Sequence, residues 1–248
     1  MKVGIFGDSF AMPGSGGNLR NFTLSWPEII AQKYDTSFNA KPGSCLLHSV
    51  KKLKEFHSKY DKIVFVVTNP GRFEFNQYVE SHCNKKFEWE YLRRVQGLFS
   101  IEQTLSRLDI EHPDLDPVIK EAWLSALSYF KYIQEEEDDT YFHNLMLDDI
   151  KRTRPDVILI PGFPDSFPDQ KPVASMFSIQ VMENEHWGLT SGGATRPNDI
   201  RKCHMTAENN EIFANNVFKW LNGEPVVINL ADYKKPTEPM SKYFIQGN

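Results

Sequence analysis

Three short apolar runs, each stopping abruptly at turn-forming residues, constrain the fold more than any other feature of this sequence. Continuous β-branched runs of about five residues are typical of strands that are buried on both faces of a parallel sheet. We therefore predict strands at these runs and turns directly after them. The runs are Lys2–Phe6, Ile63–Val67 and Asp156–Ile160.

Helical patterns fill the intervals between these strands. Ser25 and Glu28 have the spacing of a capping box, with Pro27 in the first turn, and therefore predict a helix start. Further elements are predicted by hydrophobic periodicity and by capping residues. They are a short strand at Ser37–Ala40, a helix within Ser44–Lys59, a fifth strand at Met176–Met182 and a last helix that Thr206 caps and that runs to about Leu221.

Strands that alternate with helices predict a parallel sheet with right-handed crossovers. The expected fold class is α/β, a three-layer α/β/α sandwich with a mainly parallel, flavodoxin-like sheet. Residues 88–154 are predicted to be a helical insertion, in which the acidic run Glu135–Asp139 caps and solvates a helix junction. We expect one domain over residues 1–248. The predicted helices of the insertion are Tyr91–Leu108, Pro117–Gln134 and Tyr141–Arg152.

Composition excludes several classes of function. The net charge is −5 and no lysine or arginine cluster is long enough to follow a phosphate backbone, so nucleic acid is not the expected partner. The three cysteines form no C-x-x-C pair, which argues against a disulfide framework or a thiolate metal site. We find no signal segment and no apolar stretch of about 18 residues. The expected location is therefore cytoplasmic, with export by a signal-free route or as part of a larger assembly as the alternatives. No membrane partner is expected, and nothing indicates an oligomeric state.

Polar residues and glycines follow the predicted strands, where open parallel sheets bind their ligands. Ser9 lies just after the first strand and Asn69 just after the third, while Gly43 follows the short second strand. A serine needs a base such as His204 to attack an acyl carbon, and the oxyanion that forms needs amide donors. These residue types at one edge of the sheet predict an acyl-transfer site.

The segment Gly7-Asp8-Ser9-Phe10 resembles the nucleophile block of SGNH/GDSL hydrolases. Gly43, Asn69 and His204 stand in segments similar to the other three blocks of that family, in the family order. The resemblance spans residues 4 to 210. It implies a serine esterase in which Ser9 is the nucleophile and His204 the base. The backbone N–H groups of Ser9 and Gly43 and the side-chain amide of Asn69 would form the oxyanion hole.

Two departures from the family pattern bear on the catalytic residues. The usual D-x-x-H block would place an acid at position 201, where this chain has Arg201, and the nearest upstream acid is Asp199. Asp199 is therefore the expected partner of His204, with a backbone carbonyl or another acid as the alternative. The usual G-x-N-D frame is also missing, because Thr68 and Pro70 flank Asn69.

The resemblance implies hydrolysis of an ester, with an O-acetyl group on a carbohydrate as one substrate, and no metal or organic cofactor. Asp8 is expected to support the backbone of the nucleophile. The segments around Asn69 and His204 are similar to those of SGNH-like proteins in bacteriophage genomes. Arg72 and Arg196 are expected to be exposed, with binding of an anionic or sugar substrate as the alternative. Asp165-Ser166 is expected to form a turn after the fourth strand.

Two rival functions stay open. The same fold could bind a glycan without cleaving it, if the irregular last block marks an inactive site. A flavodoxin-like binder of nucleotide or phosphate would use the loop Gly14-Ser15-Gly16-Gly17. That loop lacks the lysine of a P-loop and the G-x-G-x-x-G spacing, which disfavours the second rival.

Overall fold

Four parallel strands, hydrogen-bonded in the order β2-β1-β3-β4, form the centre of the computed structural model. The strands are β1 (Lys2–Gly7), β2 (Asp35–Ala40), β3 (Lys62–Val67) and β4 (Ile158–Pro161). The structure describes residues 1–13, 24–41, 44–70, 72, 79, 81–82, 113–133, 136–170, 173–186 and 205–235, without the side chains of residues 130, 136 and 184–186.

The strand register aligns the carboxyl ends of all four strands at one edge. Gly7 of β1 pairs with Ala40 of β2, and Val67 of β3 pairs with Pro161 of β4. The two central strands are buried along nearly their whole length, whereas the outer strand β2 is polar and partly exposed. This contrast explains why β1 and β3 read as continuous apolar runs in the sequence while β2 does not.

Six α-helices accompany the sheet among the described residues. Three of them, α1, α5 and α6, pack on one face, where Trp26, Ile179 and Phe213 meet strand residues such as Ile5 and Val64. The helices α2 and α4 pack on the other face. The bounds are α1 (Trp26–Lys33), α2 (Leu46–Phe56), α3 (Pro117–Tyr132), α4 (Glu136–Thr153), α5 (Met176–His186) and α6 (Ala207–Leu221).

The second face has its own apolar cluster, in which Leu53 of α2 and Ile150 of α4 contact strand residues such as Phe6 and Phe65. Side chains of β1 and β3 therefore alternate between two cores, as the period of two along a strand requires. Helices on both faces of a parallel sheet make three layers, so the predicted α/β/α class is confirmed. Whether residues 1–248 form one domain stays a prediction.

The predicted strand at Met176–Met182 is wrong, because this segment belongs to helix α5. Ser175 begins the helix in the way a capping residue does: its hydroxyl accepts the Ser178 N–H at 3.2 Å. Met176 and Ile179, three residues apart, are both fully buried against the sheet. Spacing of three with a preceding serine is a helical signal, which the β-branched content of the run obscured.

The other predicted elements agree with the structure within a few residues. The N–H of Ser25 donates to Glu28 Oε2 at 2.8 Å at the start of α1, and Thr206 caps α6. Acidic residues of the predicted junction occupy the first turn of α4, where Glu137 and Asp138 are exposed and favour the helix dipole. The predicted helix Tyr91–Leu108 lies outside the described residues. Within the described ranges, no helix has both the length and the apolar character needed to cross a bilayer.

Candidate active site

The structure describes half of the residues that the sequence nominates for the site. Asp8 and Ser9 directly follow β1, and Asn69 follows β3 after one intervening residue. Since β1 and β3 are neighbours, paired at Phe6 and Phe65, these residues emerge side by side at the carboxyl edge of the sheet. The other three nominated residues, Gly43, Asp199 and His204, lie outside the described residues.

Ser9 begins a tight turn that only a glycine at position 7 allows. Gly7 has φ of +142°, and an added Cβ would lie 2.9 Å from the Val66 carbonyl oxygen. The chain then enters a short 3₁₀ helix over Ser9–Ala11, in which Ser9 is half-buried. Asp8 caps this turn: its Oδ1 accepts the Phe10 N–H at 3.0 Å. The backbone that carries Ser9 is thereby tied to the Asp8 side chain.

The carboxylate of Asp8 is fully buried and has two further partners. Its Oδ2 accepts the Thr68 hydroxyl at 2.9 Å and Nη1 of Arg72 at 2.7 Å. The prediction that Arg72 is exposed is wrong, since only 4% of its side chain is accessible. The structure accounts for this burial through the Asp8 carboxylate, which supplies the opposite charge that a buried guanidinium requires.

An aromatic ring supports the Arg72 guanidinium from the other side. Its Cζ lies 4.6 Å from the centroid of Phe163, in the residues that follow β4. The Phe163 ring also packs edge-to-face on Phe10 of the Ser9–Ala11 turn, at 5.4 Å between centroids, and stacks on Phe177 of α5. Arg72 therefore fills a place between the turn that holds Ser9 and the loop after β4.

Asn69 is oriented by an acid that the sequence did not nominate. The Asn69 amide Nδ2 donates to Asp165 Oδ2 at 2.7 Å. Burial raises the pKa of Asp165 above its ordinary value, while its own backbone hydrogen bond and the nearby Arg72 charge act in the opposite direction. Asp165 was expected only to form a turn. Its position after a predicted strand was the one signal in the sequence that could have placed it at this edge.

The loop that carries Asp165 is anchored to the end of β3. The hydroxyl of Ser166 donates to the Val67 carbonyl at 2.7 Å and accepts the Phe163 N–H at 2.9 Å. On the outer side, Nε2 of His143 on α4 donates to the Ser166 carbonyl at 3.0 Å. Burial lowers the pKa of His143, which favours the neutral ring, although this hydrogen bond acts in the opposite direction. The loop is thus held from both the sheet and the helical segment.

A second acid missed in the sequence, Glu183, is buried and fixes the chain where it enters α6. Oε1 of Glu183 accepts the N–H and hydroxyl of Thr206, at 2.9 and 2.8 Å, and the Asn209 amide at 2.7 Å. Glu183 lies on α5 and is fully buried. The described chain resumes at residue 205, so these bonds hold the first described residues after the segment 199–204.

A hydroxyl, a side-chain amide and a buried ion pair therefore share one edge of the sheet, which is a set of groups suited to acyl transfer. Among the described residues, no group of three or more histidine, cysteine, aspartate and glutamate side chains is arranged to hold a metal ion. Comparisons with protein-family models, with curated proteins and with solved structures found no match to this chain.

Proposed function

We propose that this protein is a serine hydrolase that cleaves an ester, with O-acetyl groups on carbohydrates as the substrate class that the family resemblance favours. The observation that carries the proposal is the juxtaposition of Ser9 and Asn69 at the carboxyl ends of the neighbouring strands β1 and β3. One residue supplies a nucleophilic oxygen and the other an amide donor. Both stand where a parallel sheet places its ligands.

In the proposed reaction Ser9 Oγ attacks the carbonyl carbon of the ester while His204 takes the hydroxyl proton. The negative oxygen of the tetrahedral intermediate accepts hydrogen bonds from the N–H groups of Ser9 and Gly43 and from the Asn69 amide. Collapse expels the alcohol, which receives the proton from His204. Water then attacks the acyl-enzyme by the same route and releases the acid. Asp199 orients His204 and stabilises its imidazolium form.

The hydrogen bond from Asn69 to Asp165 is compatible with this role. A side-chain amide nitrogen carries two hydrogens, and the bond to Asp165 uses one of them. The second can be donated to the oxyanion. Because Asp165 restrains the amide, less conformational entropy is lost when that second bond forms.

Turnover of p-nitrophenyl acetate by wild type and by Ser9→Ala tests the proposal. We expect the variant to lose at least about 10³-fold in kcat, because it lacks the oxygen that forms the acyl-enzyme. Ser128→Ala is the matched control: Ser128 lies on α3 and its hydroxyl donates to the Leu124 carbonyl. Its kcat should equal that of wild type.

Labelling by a fluorophosphonate, located by mass spectrometry of the peptides, provides a second readout. The label should appear on Ser9 in wild type and in Ser128→Ala, and not in Ser9→Ala. Absence of both turnover and label in wild type would contradict the hydrolase proposal. If wild type and Ser9→Ala then bound an acetylated glycan equally, the non-catalytic binding module would be the better description.

A further inference from the structure

The ion pair between Asp8 and Arg72 is almost completely buried. The Asp8 side chain is inaccessible and that of Arg72 is 4% exposed, while Nη1 and Oδ2 are 2.7 Å apart. Removing a pair of charges from water carries a desolvation penalty that the attraction between them does not always repay. A pair of this kind is therefore weak evidence for stability and calls for another explanation.

The hydrogen bonds around the pair are unequal. The Asp8 carboxylate has a separate partner for each oxygen, the Phe10 N–H on Oδ1 and the Thr68 hydroxyl with Arg72 on Oδ2. The Arg72 guanidinium, by contrast, has no acceptor for its buried Nε within the described part of the chain. The arrangement thus satisfies Asp8 and leaves Arg72 incompletely satisfied, which costs stability.

Asp8 also caps the short 3₁₀ helix Ser9–Ala11, here called the nucleophile turn. Its Oδ1 accepts the Phe10 N–H, and its backbone carbonyl accepts the Ala11 N–H at 3.1 Å. A carboxylate that is bonded at both oxygens cannot rotate about its Cβ–Cγ bond without breaking one of the bonds. The bonds from Arg72 and Thr68 to Oδ2 therefore hold Oδ1 in place to accept from the turn that begins with Ser9, and Arg72 supplies the only one of the two that is charged.

We propose that Arg72 is a positioning residue for the nucleophile turn, acting through the Asp8 carboxylate. Its catalytic consequence rests on the proposed hydrolase function. Arg72 holds the orientation of the carboxylate and thereby the backbone of Ser9. Its positive charge also balances the buried negative charge of Asp8, which would otherwise oppose the oxyanion that forms beside Ser9. Phe163, stacked under the guanidinium, holds Arg72 against Asp8.

Kinetics of four variants test this role. Arg72→Met keeps the length of the side chain and removes its charge, and we expect kcat to fall about 10²-fold with KM changed less than about threefold. Arg72→Lys keeps the charge without the planar fork and should be intermediate. The double variant Asp8→Asn with Arg72→Met removes both charges and keeps an oxygen acceptor for Phe10. It should recover about tenfold in kcat relative to Arg72→Met.

Arg154→Met is the matched control, because Arg154 contacts the chain at the opposite edge of the sheet. It should leave kcat unchanged. Amide hydrogen exchange at Phe10 gives a readout that does not require turnover. Exchange should be faster in Arg72→Met than in wild type, slower again in the double variant, and unchanged in Arg154→Met.

The outcomes separate the two proposals. If Arg72→Met folds and keeps the wild-type kcat and Phe10 exchange, the positioning role is wrong and the hydrolase proposal is unaffected. If wild type shows no turnover, the hydrolase proposal fails, and Phe10 exchange alone decides whether Arg72 holds the turn. Should Arg72→Met not fold, kcat and Phe10 exchange are compared with wild type in the charge-conserving Arg72→Lys and in the charge-free double variant instead. Equal kcat and Phe10 exchange in both of these and wild type would overturn the role.

Discussion

Two arginines, one at each edge of the sheet, are used in opposite ways. At the amino edge, Arg154 donates from Nη1 to the carbonyls of His57 and Tyr60, both at 3.0 Å, and from Nη2 to that of Asp61 at 2.8 Å. At the carboxyl edge, Arg72 is paired with one buried carboxylate, stacked on an aromatic ring and left with an unmatched Nε among the described residues.

The difference lies in what each arginine holds. Three partners of Arg154 are backbone carbonyls of the segment before β3, so this arginine closes a loop and satisfies its acceptors. The partner of Arg72 is the Asp8 side chain, which caps the turn of Ser9, so this arginine contacts the chain only through a carboxylate. If the proposed function holds, the arginine at the amino edge serves stability and the arginine at the carboxyl edge serves catalysis.

After Ser9→Ala, the largest effect should come from Asn69→Ala, which removes a donor at the carboxyl edge. Loss of one oxyanion-hole donor typically lowers kcat about 10²–10³-fold, and we expect a fall of this size with little change in stability. Steady-state hydrolysis of p-nitrophenyl acetate measures it. The control is Asn216→Ala on α6, whose amide donates to the Tyr233 hydroxyl at 3.2 Å and which should retain full kcat. A kcat of Asn69→Ala within threefold of wild type would remove Asn69 from the oxyanion hole.

Arg154→Met should lower stability and leave catalysis unchanged, the reverse of what is expected for Asn69→Ala. It leaves three carbonyls at the amino edge without their donor, and we expect the free energy of unfolding to fall by about 1–3 kcal/mol. Urea unfolding followed by circular dichroism measures this loss, while kcat and KM at 25 °C should stay at wild-type values. A fall in kcat as large as that expected for Arg72→Met would erase the distinction between the two edges.

His143, which bonds the loop after β4, should make a smaller and pH-dependent contribution to the free energy of unfolding. Burial lowers its pKa from 6.5, so the unfolded chain binds the proton more tightly than the folded protein. The contribution of His143 to stability is therefore complete above about pH 6.5 and is lost as the pH falls, with a slope of at most about 1.4 kcal/mol per pH unit.

The variant His143→Gln keeps a donor for the Ser166 carbonyl and removes the titration. Unfolding free energies of wild type and variant are measured between pH 5 and pH 7.5. They should converge as the solution becomes more acidic, because only the wild type loses stability when residue 143 is protonated. If instead wild type gained stability relative to the variant on acidification, the sign of the His143 shift would be wrong.

Asp165→Asn should show the smallest effect, because Asp165 is only partly buried and solvent screens its charge. Burial of part of the group raises its folded pKa above 3.8, so the folded state holds the proton more tightly than the unfolded chain. Stability from this group is complete below about pH 3.8 and is lost as the pH rises through the folded pKa. The variant should lack this decline, and urea unfolding between pH 3.5 and pH 6 measures it. A decline of equal slope in the variant would assign it to another group.

The residues of the site differ in how far the sequence could predict them. Ser9 and Asn69 were predicted because each directly follows a strand whose apolar run is visible in the chain. Asp165 follows a strand in the same way, but an Asp-Ser pair after Pro-Gly has the composition of an ordinary turn, so its pairing with Asn69 was missed. The pattern around Glu183 predicts a strand followed by a loop, so it gives no sign that Glu183 is a helix residue that faces Thr206.

Local sequence patterns are enough to predict the features that depend on neighbours within a few residues. The apolar runs of β1 and β3, the capping box at Ser25 and the cap at Thr206 follow from local periodicity and local hydrogen bonds. The contacts that join distant segments depend on the whole fold, such as Arg72 with Asp8, 64 residues apart, and Asn69 with Asp165, 96 residues apart. No local pattern encodes such pairs, because they form only after the strands have aligned and the packed helices have brought their loops to one edge.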